Sequence, residues 1–412
     1  MMIRLIFIGL LIFPGVAAAA QPVNLSGLLP TTVARPLLEQ DPGVAAARAG
    51  LEVALQEANI LDQSPYEWTT RASGQQRRLD SGPGYNEWNV GIERTIRLPG
   101  KAAADRNIGQ ATVEESRARY GEALHEAARD LMALWVDWLA AERAQTLAVN
   151  SLQSVQASLE AVEKRIRAGD ASRLDLSIAR AELSEQRRMD NDAKTQVSAA
   201  WMRLSTRFPG IARPPQVLPM PSPIGEDVAF WRERIITESD ELKVLQAKMR
   251  MAQSHADRAR ADRTPDPTLG LYTASEVGGR ERISGVMISI PISGGLRDSR
   301  YAKANASVQV SGQEFERKKR QLEVGIAGAF ATARGSYDSL KIADEGAAAM
   351  QENAVLMQRA YSLGEAELQA LLIARRQANA ALNNVLQAQV TALKAYYGLL
   401  VDAHLIWDLE ND

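Results

Sequence analysis

Few residues of this 412-residue chain are placed to do chemistry. Gly100-Lys101 has the look of a phosphate-binding loop, whose backbone amides and lysine cradle a nucleotide's phosphates. Such a loop needs Ser or Thr next and a glycine five residues earlier; Ala102 and Thr95 stand there instead. His125-Glu126 opens like the helix of a zinc protease, where a second histidine one turn on completes the metal face. Arg129 occupies that position. His255 and His404 are isolated in sequence and there is no cysteine, so neither a transition-metal site nor a disulfide is expected. Carboxylates are plentiful, but none forms an evident catalytic pair. A formal net charge of -2 gives no reason to expect nucleic acid as a partner. The chain reads as a non-enzyme without a cofactor, so its function has to be sought in the elements themselves.

The first of these elements concerns export. Met1-Met2-Ile3-Arg4 is a charged start, Leu5 to Val16 is apolar, and Ala17 to Ala20 are small. These are the three parts of a secretory signal, and the apolar run is shorter than the ~18–20 residues a membrane helix needs. Residues 1–20 are therefore assigned to a signal peptide. With no cysteine, the mature chain cannot begin on a lipidated one. Beyond residue 20 no charge-free run reaches spanning length, so any entry into a bilayer has to be made by β-strands.

The rest of the chain is one unit written twice. Arg165-Ile166-Arg167-Ala168-Gly169-Asp170-Ala171 matches Ala360-Tyr361-Ser362-Leu363-Gly364-Glu365-Ala366, with the glycines 364 − 169 = 195 residues apart. The same offset carries Gly100 onto Gly295 and Trp201 onto Tyr396, and it drifts upstream, where Pro65 pairs with Pro265. Apolar residues recur every seven positions. Val113, Tyr120, Ala127, Leu134, Ala141, Ala148, Val155 and Val162 form one line, and Val308, Phe315, Leu322, Ala329, Ala343, Met350 and Met357 repeat it. A seven-residue repeat sustained this long specifies coiled-coil packing. Each long helix should run about 100 Å and turn at a glycine that takes the left-handed conformation at low cost. Trp135 and Trp138 lie on or beside this seam, where packing accounts for them.

The fold class expected is mainly α with a small β part, built from tandem coiled-coil hairpins. The first repeat is placed at 21–207, with a strand pair within 66–98, a long helix over 101–168 and a return helix over 172–206. A proline-rich connector over 208–225 should lie along the outside of the helices. The second repeat follows at 226–406, with a strand pair within 268–292, a long helix over 296–362 and a return helix over 365–405; residues 407–412 read as a tail.

The strands alternate with period two, one face apolar and one polar. Val90 and Ile92 in the first half, and Val286, Ile288 and Ile290 in the second, are the candidate lipid-facing residues. Lengths near 9–11 residues suit tilted transmembrane strands. Two small hairpins packed on the helices of a soluble protein would show the same alternation. Four strands cannot close a barrel in one chain, whereas three chains would supply twelve.

The tip motifs around Gly169 and Gly364, the joins Arg97-Leu98-Pro99-Gly100-Lys101 and Pro291-Ile292-Ser293-Gly294-Gly295, and the proline-rich connector occur in a fixed order. That order resembles the TolC-like outer-membrane efflux proteins over essentially the whole mature chain. The length and the first join look most like the CzcC-type branch associated with heavy-metal efflux. The resemblance implies a homotrimer in a Gram-negative outer membrane, with a twelve-stranded barrel continued by a twelve-helix periplasmic tunnel. It implies a periplasmic adaptor at the tip, an inner-membrane pump, proton-driven in that branch, and metal cations as a candidate cargo. It also implies acidic residues just beyond the tip glycines. Asp175, six residues after Gly169, matches, whereas Ala370 and Ile373 do not match in the second half. Three copies of Asp175 could form an acidic ring at the tunnel entrance that attracts cations; a solvated acid at a helix start is the plain alternative. Arg165, Arg167, Gly169, Leu363 and Gly364 are the adaptor-docking candidates. Two other functions stay open, a duct for ATP-driven protein or peptide export and a pore-less periplasmic scaffold. The scaffold is disfavoured because each of the two hairpins follows its own strand pair.

Overall fold

The computed structural model describes residues 27–78, 80–292 and 294–409. The signal segment and the end of the C-terminal tail lie outside the described residues. Eight α-helices and four β-strands are seen among those described: α1 (Thr31–Glu39), α2 (Pro42–Asp62), β1 (Thr69–Arg77), β2 (Tyr85–Thr95), α3 (Pro99–Arg167), α4 (Arg173–Arg207), α5 (Val228–Glu238), α6 (Asp240–Ala261), β3 (Thr268–Glu276), β4 (Glu281–Ser289), α7 (Leu296–Leu363) and α8 (Leu368–Asp402).

The two long helices have 69 and 68 residues, about 100 Å each at 1.5 Å per residue. Pro99 opens α3, where a missing amide costs nothing. Both long helices stop in the same way. Asp170 N donates to Arg165 O at 2.8 Å and Gly169 N to Ile166 O at 3.0 Å; Glu365 N donates to Ala360 O at 2.9 Å and Gly364 N to Tyr361 O at 3.1 Å. Both glycines sit at φ +79°, the left-handed turn that frees the chain to reverse. Two shorter helices lie along each long one, α2 and α4 on α3, and α6 and α8 on α7; α6 and α8 also pack on α3.

The main core is at mid-length of α3, around Leu124, Leu131, Trp135, Trp138 and Leu139. Trp135 Nε1 donates to Gly27 O at 2.7 Å and Trp407 Nε1 to Leu29 O at 2.8 Å, so chain segments from both ends wrap this belt. The C-terminal segment therefore differs from a free tail: Ile406, Trp407 and Leu409 are buried, because the chain leaves α8 at Asp402 and folds back over the belt. The connector crosses the same belt, burying Phe208, Ile211 and Leu218, and the amide of Gln389 donates to Pro219 O at 2.7 Å. Its prolines keep it out of a helix while its apolar residues anchor it.

The strands form one antiparallel sheet in the order β1-β2-β3-β4, so β2 and β3 pair although α3 to α6 lie between them in sequence. β1 begins three residues later than the expected start at Tyr66, whose side chain bonds Asp266 below the sheet. β4 ends at Ser289, which leaves Ile290 just outside it. Pro291 has no amide to continue the ladder.

Candidate functional site

Three regions hold the residues picked out above: the sheet, its junction with the helices, and the hairpin tips. In the sheet the register aligns Ile92, Leu271 and Val286 in one row and Arg94, Leu269 and Ile288 in the next, on the same face. Val90 lies on that face too, and all of these apolar side chains are exposed, Val286 at 70% and Ile288 at 64%. Ile290 and Ile292, past the end of β4, are exposed as well. The opposite face carries the charged pairs: Arg71 pairs with Glu93 at 2.5 Å, Gln75 Nε2 donates to Glu87 at 2.8 Å, and Arg77 pairs with Glu276 at 3.1 Å, with Ile283 and Met287 on the same side in β4. An apolar face left bare on one side of a thin sheet matches a surface designed for lipid. The outer edges of β1 and β4 carry no partner strand among the described residues. Open edges of this kind pair readily with other chains.

Below the sheet, Lys101 has a role other than the phosphate-binding one that its sequence suggested. It is buried, with Nζ 3.0 Å from Asp266 and 3.2 Å from Asp262. Asp266 also accepts from Leu98 N at 3.1 Å and from Tyr66 OH at 2.9 Å. Burial alone would raise the Asp266 pKa, but the Leu98 amide, Lys101 and Tyr66 together hold it below the usual carboxylate range. Arg97 caps the end of α2 through Leu61 O at 2.9 Å and Asp62 O at 2.7 Å, and pairs with Asp105 at 3.1 Å. Arg258 of α6 reaches Asp105 at 2.5 Å. This network ties the strand ends to α2, α3 and α6. Sequence reading missed it, although one signal was available: Asp62-Gln63-Ser64-Pro65 recurs as Asp262-Arg263-Thr264-Pro265 and marks both helix ends.

At the tips, Val162, Ala179, Leu368 and Leu372 form a small second core that joins the two hairpins. Arg165 pairs with Asp170 at 3.0 Å and stacks on the Tyr361 ring at 5.1 Å, so it links the hairpins to each other. Arg167, Gly169, Leu363 and Gly364 are exposed. Leu174, which the sequence did not single out, is exposed at 68%, much as Leu363 is at 65%. Asp175 closes a capping box, accepting from Ser172 N at 3.0 Å while Ser172 Oγ accepts from Asp175 N at 3.1 Å. This arrangement fixes the start of α4. It leaves the carboxylate half-buried beside the tip.

Two histidines that are far apart in sequence meet behind the core belt. The His125 and His404 rings lie 5.2 Å apart, edge to face. His125 Nε2 is 3.5 Å from Asp402 and His404 Nε2 is 3.6 Å from Asp240. Among the described residues no set of three His, Cys, Asp or Glu side chains is placed to hold a metal. No described helix is long and apolar enough to cross a membrane.

The model of the outer membrane efflux protein family matches residues 33–207 and 231–400, most of the chain and both repeats. The chain belongs to the outer membrane efflux protein family. Solved structures agree on the fold. The outer-membrane channel OprN superposes with a TM-score of 0.77 at 18% identity, over 92% of this chain and 91% of that one. CusC, described with transmembrane channel formation, gives 0.71 at 19% identity, over 91% and 93%. The Neisseria gonorrhoeae MtrE outer membrane channel in its open state gives 0.68 at 18% identity, over 92% and 90%. No curated protein matches the chain significantly. As a member of that family the protein is an outer-membrane efflux protein and not an enzyme. Neither the family nor these structures singles out a heavy-metal branch.

Proposed function

We propose that three copies of this chain close into a single duct, a twelve-stranded barrel in the outer membrane continued by twelve helices reaching into the periplasm. The observation that carries this reading is the sheet: four strands with one apolar exposed face and two open edges, at the end of helices about 100 Å long. The duct receives cargo at its tip from a periplasmic adaptor, which links it to an inner-membrane pump. Arg167, Gly169, Leu174, Leu363 and Gly364 are exposed at the tips and available to that adaptor. Arg165 contributes by bracing the two tips against each other. Asp175 supplies a ring of three carboxylates at the entrance, which favours cations. Metal cations are the proposed cargo, on the likeness of the Arg97-to-Lys101 join to the heavy-metal branch. The signal at 1–20 directs export, and with no cysteine the anchor is the barrel alone.

Purification from outer membranes in mild detergent, with mass determination and planar-bilayer conductance, tests this reading. A conducting trimer is the expected result. A soluble periplasmic monomer without conductance would overturn it.

A further inference from the structure

The loop end of the sheet, the end away from the helices, sorts its charges by face. Gln75 is opposite Glu87 and Glu276 opposite Glu281, all on the side that faces away from Val90, Val286 and Ile288. Arg77 is on that acidic side as well, paired with Glu87 at 3.0 Å and with Glu276 at 3.1 Å. The exposed apolar face ends differently. Two residues on from Val90 comes Trp88, and two on from Ser284 comes Arg282; the two flank Ser275 in a single row. Trp88 is 48% exposed, and Arg282 is exposed beside it in the row. Arg78, just past β1, and Arg280, just before β4, are exposed too. Arg78 Nη2 donates at 3.3 Å to Gln76, which lies on the Trp88 side of β1.

Among the described residues Arg78, Arg280 and Arg282 take part in no ion pair. The acids that could neutralise them, Glu87, Glu276 and Glu281, belong to the other face, and Asp80 is the one acid in the two loops. At the helix end the same apolar face closes on a satisfied arginine. Arg94 stacks over the Trp68 ring at 5.5 Å and donates to Tyr66 O at 3.1 Å. The two borders of the apolar face therefore differ: one spends its arginine inside the chain, and the other leaves its arginines facing outward. A tryptophan beside cations at the edge of an apolar strip suits the level where hydrocarbon gives way to headgroups. The planar fork of a guanidinium matches phosphate oxygens in particular.

We propose that Arg282, with Arg280 and Arg78, holds the phosphates of a phosphorylated glycolipid in the outer leaflet, while Trp88 rests at the border of its acyl chains. The inference rests on the duct proposed above, which sends the helices into the periplasm and so turns the loop end to the outside. A lipid fits better than free phosphate because the arginines continue a strip that runs through Val286 and Ile288. An amphipathic ligand meets both the cations and the strip, whereas a free anion would use the cations alone. The acidic row on the other face keeps the phosphates off that side by repulsion.

The test is binding of fluorescent lipopolysaccharide, intact or stripped of its phosphates, to full-length protein purified from outer membranes in detergent. Intact lipid should bind more tightly. Arg282→Gln should weaken its binding about fivefold, and the triple variant Arg78→Gln, Arg280→Gln, Arg282→Gln should bring it to the level of the stripped lipid. Arg71→Gln makes the same change of charge on the other face and should leave binding as it was. Equal binding of intact and stripped lipid by unmodified protein would overturn the inference and leave the duct standing, as would an equal loss in Arg71→Gln and Arg282→Gln. Displacement of the lipid by micromolar inorganic phosphate would make this a free-phosphate site and overturn the lipid assignment. Unmodified protein that is absent from outer membranes would overturn the duct, and the lipid contact with it.

Discussion

α3 and α7 are nearly the same helix in length, period and stop signal, yet they live in different surroundings. α3 buries large side chains along its upper and middle course, from Ile108 to Leu139. α7 buries only Ile326, Ala333, Leu340 and Ala347, a single line with seven-residue spacing. Elsewhere α7 exposes Val310, Val324, Ile342, Val355 and Leu356. Propensity and heptad pattern do not explain the difference, because the repeat gave both helices similar sequences. Position in the chain does: α3 has helices on both flanks, and α7 has them on one. A helix with two apolar faces and a partner for only one of them belongs to an assembly.

The largest expected effect separates folding of one chain from association of several. Trp135→Ala empties the middle of the belt and should cost about 3–5 kcal/mol of stability in urea titrations of detergent-solubilised protein. Its counterpart Phe330 is only half-buried against the same core. Phe330→Ala should cost clearly less in the protomer. Equal costs for the two would mean that α3 and α7 are equally enclosed, and the contrast between them would fail.

The sheet sharpens the same contrast between a face that is satisfied and one that is bare. Val286→Arg or Ile288→Arg should each cost about 2–4 kcal/mol near the bilayer midplane and lower the yield of inserted protein. Ser73→Arg on the polar face should leave insertion intact. Normal insertion of the double variant Val286→Arg, Ile288→Arg would remove the strands from the lipid.

Much of this architecture was legible in the sequence. Period-seven and period-two patterns are local consequences of packing, so the long helices, the glycine stops and the strand alternation could be read directly. What escaped depended on partners distant in sequence. Lys101 looked like a failed phosphate loop because Asp262 and Asp266, more than 150 residues on, are invisible to a local motif. His125 and His404 looked isolated for the same reason. Trp407 and Leu409 looked like a tail because nothing in their own neighbourhood announces that α1 and Leu29 wait to receive them. Asp175 was identified as a candidate by analogy, while its bond to Ser172 was readable from the Ser-x-x-Asp spacing.

The joints between stacked helices offer a third comparison. In the first half Arg207, at the end of α4, pairs with Asp41 at the start of α2 and with Asp130 at 3.2 Å. In the second half the corresponding joint sets His404 against Asp240. Burial first, and then the charges of His125, Lys243 and Arg234, push the His404 pKa down to about 4. The unfolded chain, with His near 6.5, therefore binds more protons between those values. Stability should be full above pH 6.5 and fall as the pH drops toward 4, by about 2–3 kcal/mol. Asp240, whose pKa burial raises, opposes this by favouring the folded state in acid. Urea midpoints at pH 7 and pH 5 measure the balance, and His404→Leu should flatten the dependence. An unchanged slope in that variant would assign the acid sensitivity to another joint.

The smallest effect tests the asymmetry between the two tips. Only the first tip carries an acid six residues past its glycine; Ala370 stands at the second. Asp175→Asn weakens the cap on α4 and should cost about 0.5–2 kcal/mol. If three copies also line the entrance, the same change removes three negative charges from it, and cation preference in planar-bilayer recordings should drop. Ser172→Ala serves as the control: it breaks the capping box from the other side without touching the charge. Loss of cation preference in Asp175→Asn but not in Ser172→Ala would make the carboxylate a gate residue. Equal recordings from both variants would confine Asp175 to shaping the turn, and the two tips would then differ in local geometry alone.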